Sequence, residues 1–131
     1  MTTTFRVATP RQGAVDITDH IRETVRQTQV LDGLAVVLCK HTTAGITINE
    51  NADADVIHDM LLSLESAFSE REDFRHFEGN STAHMKAALI GSNVTVIIED
   101  GALVLGMWQG IYLFEFDGPR DREVCVKIIS G

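Results

Sequence analysis

His41, His76 and His84 sit in short polar segments between apolar runs, in the contexts Lys40-His41-Thr42-Thr43-Ala44-Gly45, Phe74-Arg75-His76-Phe77-Glu78-Gly79-Asn80 and Ala83-His84-Met85-Lys86. Imidazole is the one side chain whose ordinary pKa lies near neutrality, and its neutral form is the commonest metal ligand. Three of the five histidines placed beside Glu, Asn and Thr at element ends predict a polar pocket for a ligand or a metal. Three imidazoles suffice for zinc with an open fourth position, although no local zinc spacing joins these three. His20 and His58 fall on predicted helix surfaces and are read as solvated.

Other residues join the candidate set. Thr42, Thr43 and Gly45 form a connection dense in donors and acceptors, where small residues let a ligand approach the backbone. Asn51 and Asp53 suit helix capping, but Glu50 precedes the helix and no local structure requires a carboxylate there. It is a candidate general base, able to hold an amine, a water or a metal-bound hydroxide. Gln109 and Glu115 share a strand face with Ile111 and Leu113, and polar groups on a buried face need partners. Trp108, Asn80, Lys86 and Arg120 complete the ligand-contacting set. Phosphate-cradling glycine loops, dinucleotide fingerprints, His-Glu-x-x-His and Cys-x-x-Cys pairs are all missing from the sequence, so no nucleotide cofactor is expected.

The elements that must position these residues can be read from periodicity. Phe5–Thr9 reads as a short strand closed by Pro10, and Asp16 or Thr18 caps a helix to about Gln27 with Ile21 and Val25 on one face. Leu34–Cys39 is a continuous apolar run, which predicts a central strand covered on both faces. Ile46 and Ile48 alternate with polar partners in a half-buried strand expected beside it. Ile57, Leu61, Leu64 and Phe68 mark an amphipathic helix over residues 52–69, capped by Asn51. A polar loop to Thr82 carries His76, and a short helix from His84 to Leu89 ends at Gly91. Val94–Ile98, Leu103–Leu105, Gln109–Phe116 and Val124–Ile129 predict a meander, with Asp100-Gly101 as a hairpin turn. Strands outnumber helices and cluster late, which argues for an α+β class with much antiparallel pairing.

The 131 residues make one domain, residues 1–131, with 44% hydrophobic content typical of a globular chain. A net charge of -8 with scattered Lys and Arg disfavours nucleic acid and anionic membrane surfaces as partners. The N-terminus lacks an apolar signal region and no stretch is apolar enough to span a bilayer, so a cytoplasmic location is expected. Cys39 and Cys125 each lie in a strand-like apolar run and are read as reduced core thiols.

The stretches His41-Thr42-Thr43-Ala44-Gly45-Ile46-Thr47-Ile48-Asn49-Glu50-Asn51-Ala52-Asp53, Glu78-Gly79-Asn80, His84-Met85-Lys86 and Trp108-Gln109-Gly110-Ile111 resemble the YjbQ family, whose members are often labelled secondary thiamine-phosphate synthase enzymes. The resemblance runs from Phe5 to the C-terminal end. It implies a small YjbQ-like α+β fold on a mixed, largely antiparallel sheet packed with helices. It also implies a homotrimer and a pocket holding a metal ion or an anion; of the metals, zinc is the one the three imidazoles suit. His41, His76 and His84 match the family's histidines; Glu50, Asn51, Trp108, Gln109 and Glu115 match its other site positions. One departure is Thr82, where many members carry an acid.

The leading expectation is therefore a small-metabolite enzyme with weak thiamine-phosphate synthase activity. His41, His76 and His84 would hold a divalent metal or an anion, and Glu50 or Glu115 would serve as general base beside Asn51 and Gln109. Only Lys40, Lys86, Arg120 and Arg122 lie near the motifs to hold a diphosphate, so the synthase reaction is read as a side activity. The alternatives are a non-catalytic metal- or metabolite-binding homotrimer and a trimer whose polar cluster only joins subunits.

Overall fold

A computed structural model describes residues 2–131. The eleven elements run β1 (Thr2–Ala8), β2 (Gly13–Asp16), α1 (Thr18–Thr28), β3 (Gly33–Cys39), β4 (Ala44–Glu50), α2 (Ala54–Ala67), α3 (Ser81–Ile90), β5 (Asn93–Glu99), β6 (Ala102–Leu103), β7 (Gln109–Glu115) and β8 (Asp121–Ser130). They form a five-stranded sheet in the order β1-β8-β3-β5-β6 and a three-stranded sheet in the order β2-β7-β4. Among the described residues every pairing is antiparallel, so the α+β class holds and the parallel component of the expected mixed sheet is not found there.

Alternation along the strands sets the layers. Ala35, Val37 and Cys39 of β3, with Val96, Ile98, Val124 and Val126 of its neighbours, face Ala44, Ile46, Ile111 and Leu113 of the smaller sheet. Ile21 and Val25 close this core from α1, on the face their four-residue spacing predicts, and Ile17 joins them from the position before the helix. The opposite face of the smaller sheet offers Tyr112, Phe114 and Phe116 to Ala83 and Ala87 of α3 and to Ile57, Met60, Leu61 and Leu64 of α2. The layers are thus large sheet, small sheet, helices.

Several expectations are corrected by this arrangement. β3 is central, but Leu34 and Leu38 leave its outer face exposed; the strand covered on both faces is β7. β4 pairs with β7 rather than with β3, and the late meander breaks because β7 crosses to the second sheet. β2 is too short to show a pattern in the sequence. The cap of α2 is Asp53, whose carboxylate accepts the Asp55 N–H at 2.9 Å; Asn51 is held elsewhere. α3 begins three residues before His84. Among the described residues no helix is long and apolar enough to cross a membrane.

Candidate functional site

A single buried ion pair organises the polar end of the molecule. Arg122 is the second residue of β8 and Glu115 ends β7, and both are buried. Arg122 Nε donates to Glu115 Oε1 at 2.7 Å and Nη2 to Oε2 at 2.5 Å. Thr9 Oγ1 donates to Oε1 at 2.6 Å, and the Asp117 N–H donates to Oε2 at 3.0 Å. Burial alone would raise the Glu115 carboxyl; the bonds from Arg122, Thr9 and Asp117, with the Arg122 charge, outweigh it and hold it below the ordinary range. Both oxygens are engaged, so Glu115 acts as an anchor for Arg122, and the general-base role expected of it finds no free lone pair facing a ligand.

Arg122 itself was passed over by sequence reading except as one of a few basic residues. Its Nη2 also donates to Thr43 Oγ1 at 2.7 Å, while Nη1 has no hydrogen-bond partner among the described residues and is not one of the fully enclosed unpaired atoms. The guanidinium therefore lies against the core along one edge and opens along the other into a cleft of about 360 Å³. The signal that could have found it is the Asp117-Gly118-Pro119-Arg120 turn, which delivers Arg120 and Arg122 to one strand entrance.

Each cleft wall comes from a different element. The β3–β4 connection supplies Lys40, His41, Thr42 and Thr43; the loop before α3 supplies His76, Glu78 and Asn80; α3 supplies His84. The His76 and His84 rings meet edge to face with centroids 5.3 Å apart. His41 Nε2 accepts the Glu123 backbone N–H at 2.9 Å, which places the ring proton of the neutral imidazole on Nδ1. Burial first, and then the Arg122 charge, lower the His41 pKa and keep the ring neutral. Arg120 is tied to Asp117 by Nε to the backbone oxygen at 2.7 Å and Nη2 to Oδ2 at 3.0 Å.

The three-histidine zinc centre does not fit this geometry. The Nε2 lone pair of His41 is taken by a backbone N–H and its Nδ1 carries the proton, so the neutral ring has no free lone pair for a metal. Among the described residues no three His, Cys, Asp or Glu side chains converge to hold a metal ion. The same groups suit an anion: a neutral N–H donor, a preset guanidinium and two flanking imidazoles.

The remaining expected site residues lie elsewhere. Register pairs Ala44 with Glu115 and Glu50 with Gln109, so Glu50 and Gln109 stand at the far end of the strand pair, about 20 Å away. Glu50, Gln109 and Trp108 border a separate hollow of about 260 Å³. Their polar atoms have local duties: Glu50 Oε2 accepts the Ala52 N–H at 3.0 Å, and Gln109 Oε1 accepts the Gly106 N–H at 2.8 Å. The Asn51 N–H donates to Trp108 O at 2.9 Å, and its side chain covers Gly110. The carboxylate at position 50 thus does have a local role, turning the chain out of β4. Gly45 is approached by α3 rather than by a ligand, since a Cβ there would meet Gly91 O at 2.7 Å. Lys86 and Thr82 line a neighbouring cleft that shares Asn80 with the first.

A family model described as UPF0047 protein YjbQ-like matches residues 3–131. A UPF0047 protein of Methanocaldococcus jannaschii is 52% identical over 92% of this chain and 87% of its own length. YugU of Bacillus subtilis, also a UPF0047 protein, is 48% identical over 93% of each chain. The crystal structure of an uncharacterised YjbQ/UPF0047 family protein from Clostridium acetobutylicum superposes with a TM-score of 0.91 at 53% identity, covering 98% of this chain and 99% of that one. A protein of unknown function from Sulfolobus solfataricus gives a TM-score of 0.93 at 28% identity, covering 100% and 97%.

Proposed function

The chain belongs to the YjbQ-like UPF0047 family, a family of uncharacterised proteins, and from that premise we propose that its Arg122–His41 cleft binds a small phosphorylated metabolite. The observation that carries this reading is the guanidinium of Arg122, which is locked by Glu115 and Thr43 and leaves Nη1 open to the cleft. A donor fixed before binding loses little freedom when it meets an anion, and Arg suits phosphate geometry. The His41 Nδ1–H adds a neutral donor, and the His76–His84 pair lines the same cleft. The thiamine-phosphate synthase activity implied by the resemblance is read as a side reaction drawing on this same anion corner.

Isothermal titration of the full chain with methyl phosphate tests the reading. We expect saturable binding, weakened about tenfold or more in His41→Ala and in His84→Ala, as loss of a hydrogen bond to a charged group implies. Undetectable binding at millimolar concentration, or unchanged affinity in both variants, would overturn it.

We also infer a homotrimer, supported by the apolar outer face of the larger sheet. Ile129, Leu34 and Ile97 are register partners on three adjacent strands and are 43%, 38% and 57% exposed. A row of this kind is seldom left to water.

A further inference from the structure

Beside the arginine–histidine cleft lies a second one of about 220 Å³, between the start of α3, the β7–β8 turn, α2 and the β1–β2 connection. Its defining group is the Lys86 side chain, only 3% exposed although it carries an ammonium. One of its protons meets Glu65, whose carboxylate is mostly in solvent, and Nζ stands 5.9 Å from the centre of the Phe116 ring. Asn80 forms part of the walls of both clefts. Its Nδ2 donates to Asp117 Oδ2 at 2.9 Å, while Oδ1 is enclosed and accepts nothing. Exchanging the amide atoms gives no relief, because Oδ1 would then face the Asp117 carboxylate and the buried Nδ2 would lack an acceptor. An enclosed amide oxygen without a donor is costly, and it meets a ligand donor only when the Asn80 side chain turns toward a cleft.

The charges around the second cleft select what that partner can be. Lys86 and Arg11 face Glu65 and Asp117, two cations against two anions. A second phosphate or carboxylate would be repelled by the acids, and an ammonium by the bases. A hydroxyl suits both sides: it accepts from a remaining Lys86 proton and donates to Asn80 Oδ1 or to Glu65. Because Asn80 is a wall common to both clefts, one molecule could occupy them together. We infer that the phosphorylated ligand of the first cleft carries a hydroxylated body that lodges against Lys86 and Asn80, so that the substrate class is a phosphorylated polyol or sugar. This inference rests on the anion reading of the first cleft. The Lys86–Glu65 pair joins α3 to α2 as well, and the two roles are compatible.

Two monoesters separate the ideas. Methyl phosphate offers the anion without hydroxyls, and ribose 5-phosphate offers both. Calorimetry of the full chain should show ribose 5-phosphate binding about tenfold or more tighter than methyl phosphate, the return of one or two added hydrogen bonds. Lys86→Met should erase that gain and leave methyl phosphate affinity within about twofold, since Lys86 lies outside the first cleft. If Lys86→Met does not fold, Gln12→Ala replaces it: Gln12 Nε2 holds Glu65 Oε2 at 3.1 Å from an exposed position, and its loss should reduce the gain selectively. Equal affinity for the two esters, or a gain that survives in Lys86→Met, or in Gln12→Ala where that replaces it, overturns this inference while the anion reading stands. Failure of methyl phosphate to bind at millimolar concentration overturns both.

Discussion

The Glu115–Arg122 pair concentrates much of the site's chemistry in two side chains, and its energetics follow from burial. Glu115 is fully enclosed and takes four hydrogen bonds, while Arg122 is nearly as deep. Removing one charge leaves the other buried and unpaired, which typically costs on the order of 3–5 kcal/mol. Glu115→Gln should therefore lower the melting temperature sharply, and Glu115→Met with Arg122→Met should restore much of it, as thermal unfolding will read. The carboxyl's folded pKa lies below its ordinary value of 4.5, so its contribution is present above that pH and is lost as pH falls through the folded value. His41 shifts in the same sense, although its charged form is the protonated one. Its folded pKa is below 6.5, so the unfolded chain takes up the proton first and stability declines as pH drops from 6.5 towards the folded midpoint. Nitrogen-15 NMR should find neutral His41 with its proton on Nδ1 and a midpoint below 6.5; a proton on Nε2 would contradict the Glu123 contact.

At the scale of elements, α3 is placed by the backbone as much as by its side chains. The Ile46 N–H donates to Gly91 O at 2.9 Å, and Gly45 leaves room for Ile90 and Gly91 to lie on β4. A Cβ at position 45 would come within 2.7 Å of that carbonyl, so Gly45→Ala must lift the end of α3. The expected cost is about 1–3 kcal/mol, and His84 should shift with the helix and weaken methyl phosphate binding. A variant that melts and binds like the wild type would show that α3 does not depend on this contact. Position 45 also illustrates which parts of the site were legible in the sequence. The polar connection at His41–Thr43, the loop histidine and the helix histidine could be recognised by residue type, and the structure brings them to one cleft. Glu50 and Gln109 could not be separated from them, because a strand pair places its two ends far apart and only register reveals which end a residue occupies. The reverse holds for Arg122: an Arg in a strand looks like surface until its partner, seven residues earlier on another strand, is known.

For the whole molecule, the unresolved demand is the outer face of the five-stranded sheet. β3 was expected to be covered on both faces because its sequence is apolar throughout, and within one chain only the inner face is covered. Leu34 sits between Ile97 and Ile129 in register, Leu38 lies further along the same strand, and Val104 extends the row where its N–H meets Ile97 O. Burying such residues between copies is worth roughly 25 cal/mol per Å², so several together can hold an assembly at micromolar concentration. A neighbouring subunit on this face would explain the apolar residues that make β3 look like a doubly covered strand. Light scattering should give about three times the chain mass of 14.4 kDa. Ile97→Lys places a charge at the centre of the row without touching the inner core, where Val96 and Ile98 point the other way. It should release folded monomers with little change in far-ultraviolet circular dichroism. A wild-type monomer would remove the assembly, and an Ile97→Lys variant that stays trimeric would move the interface to another face.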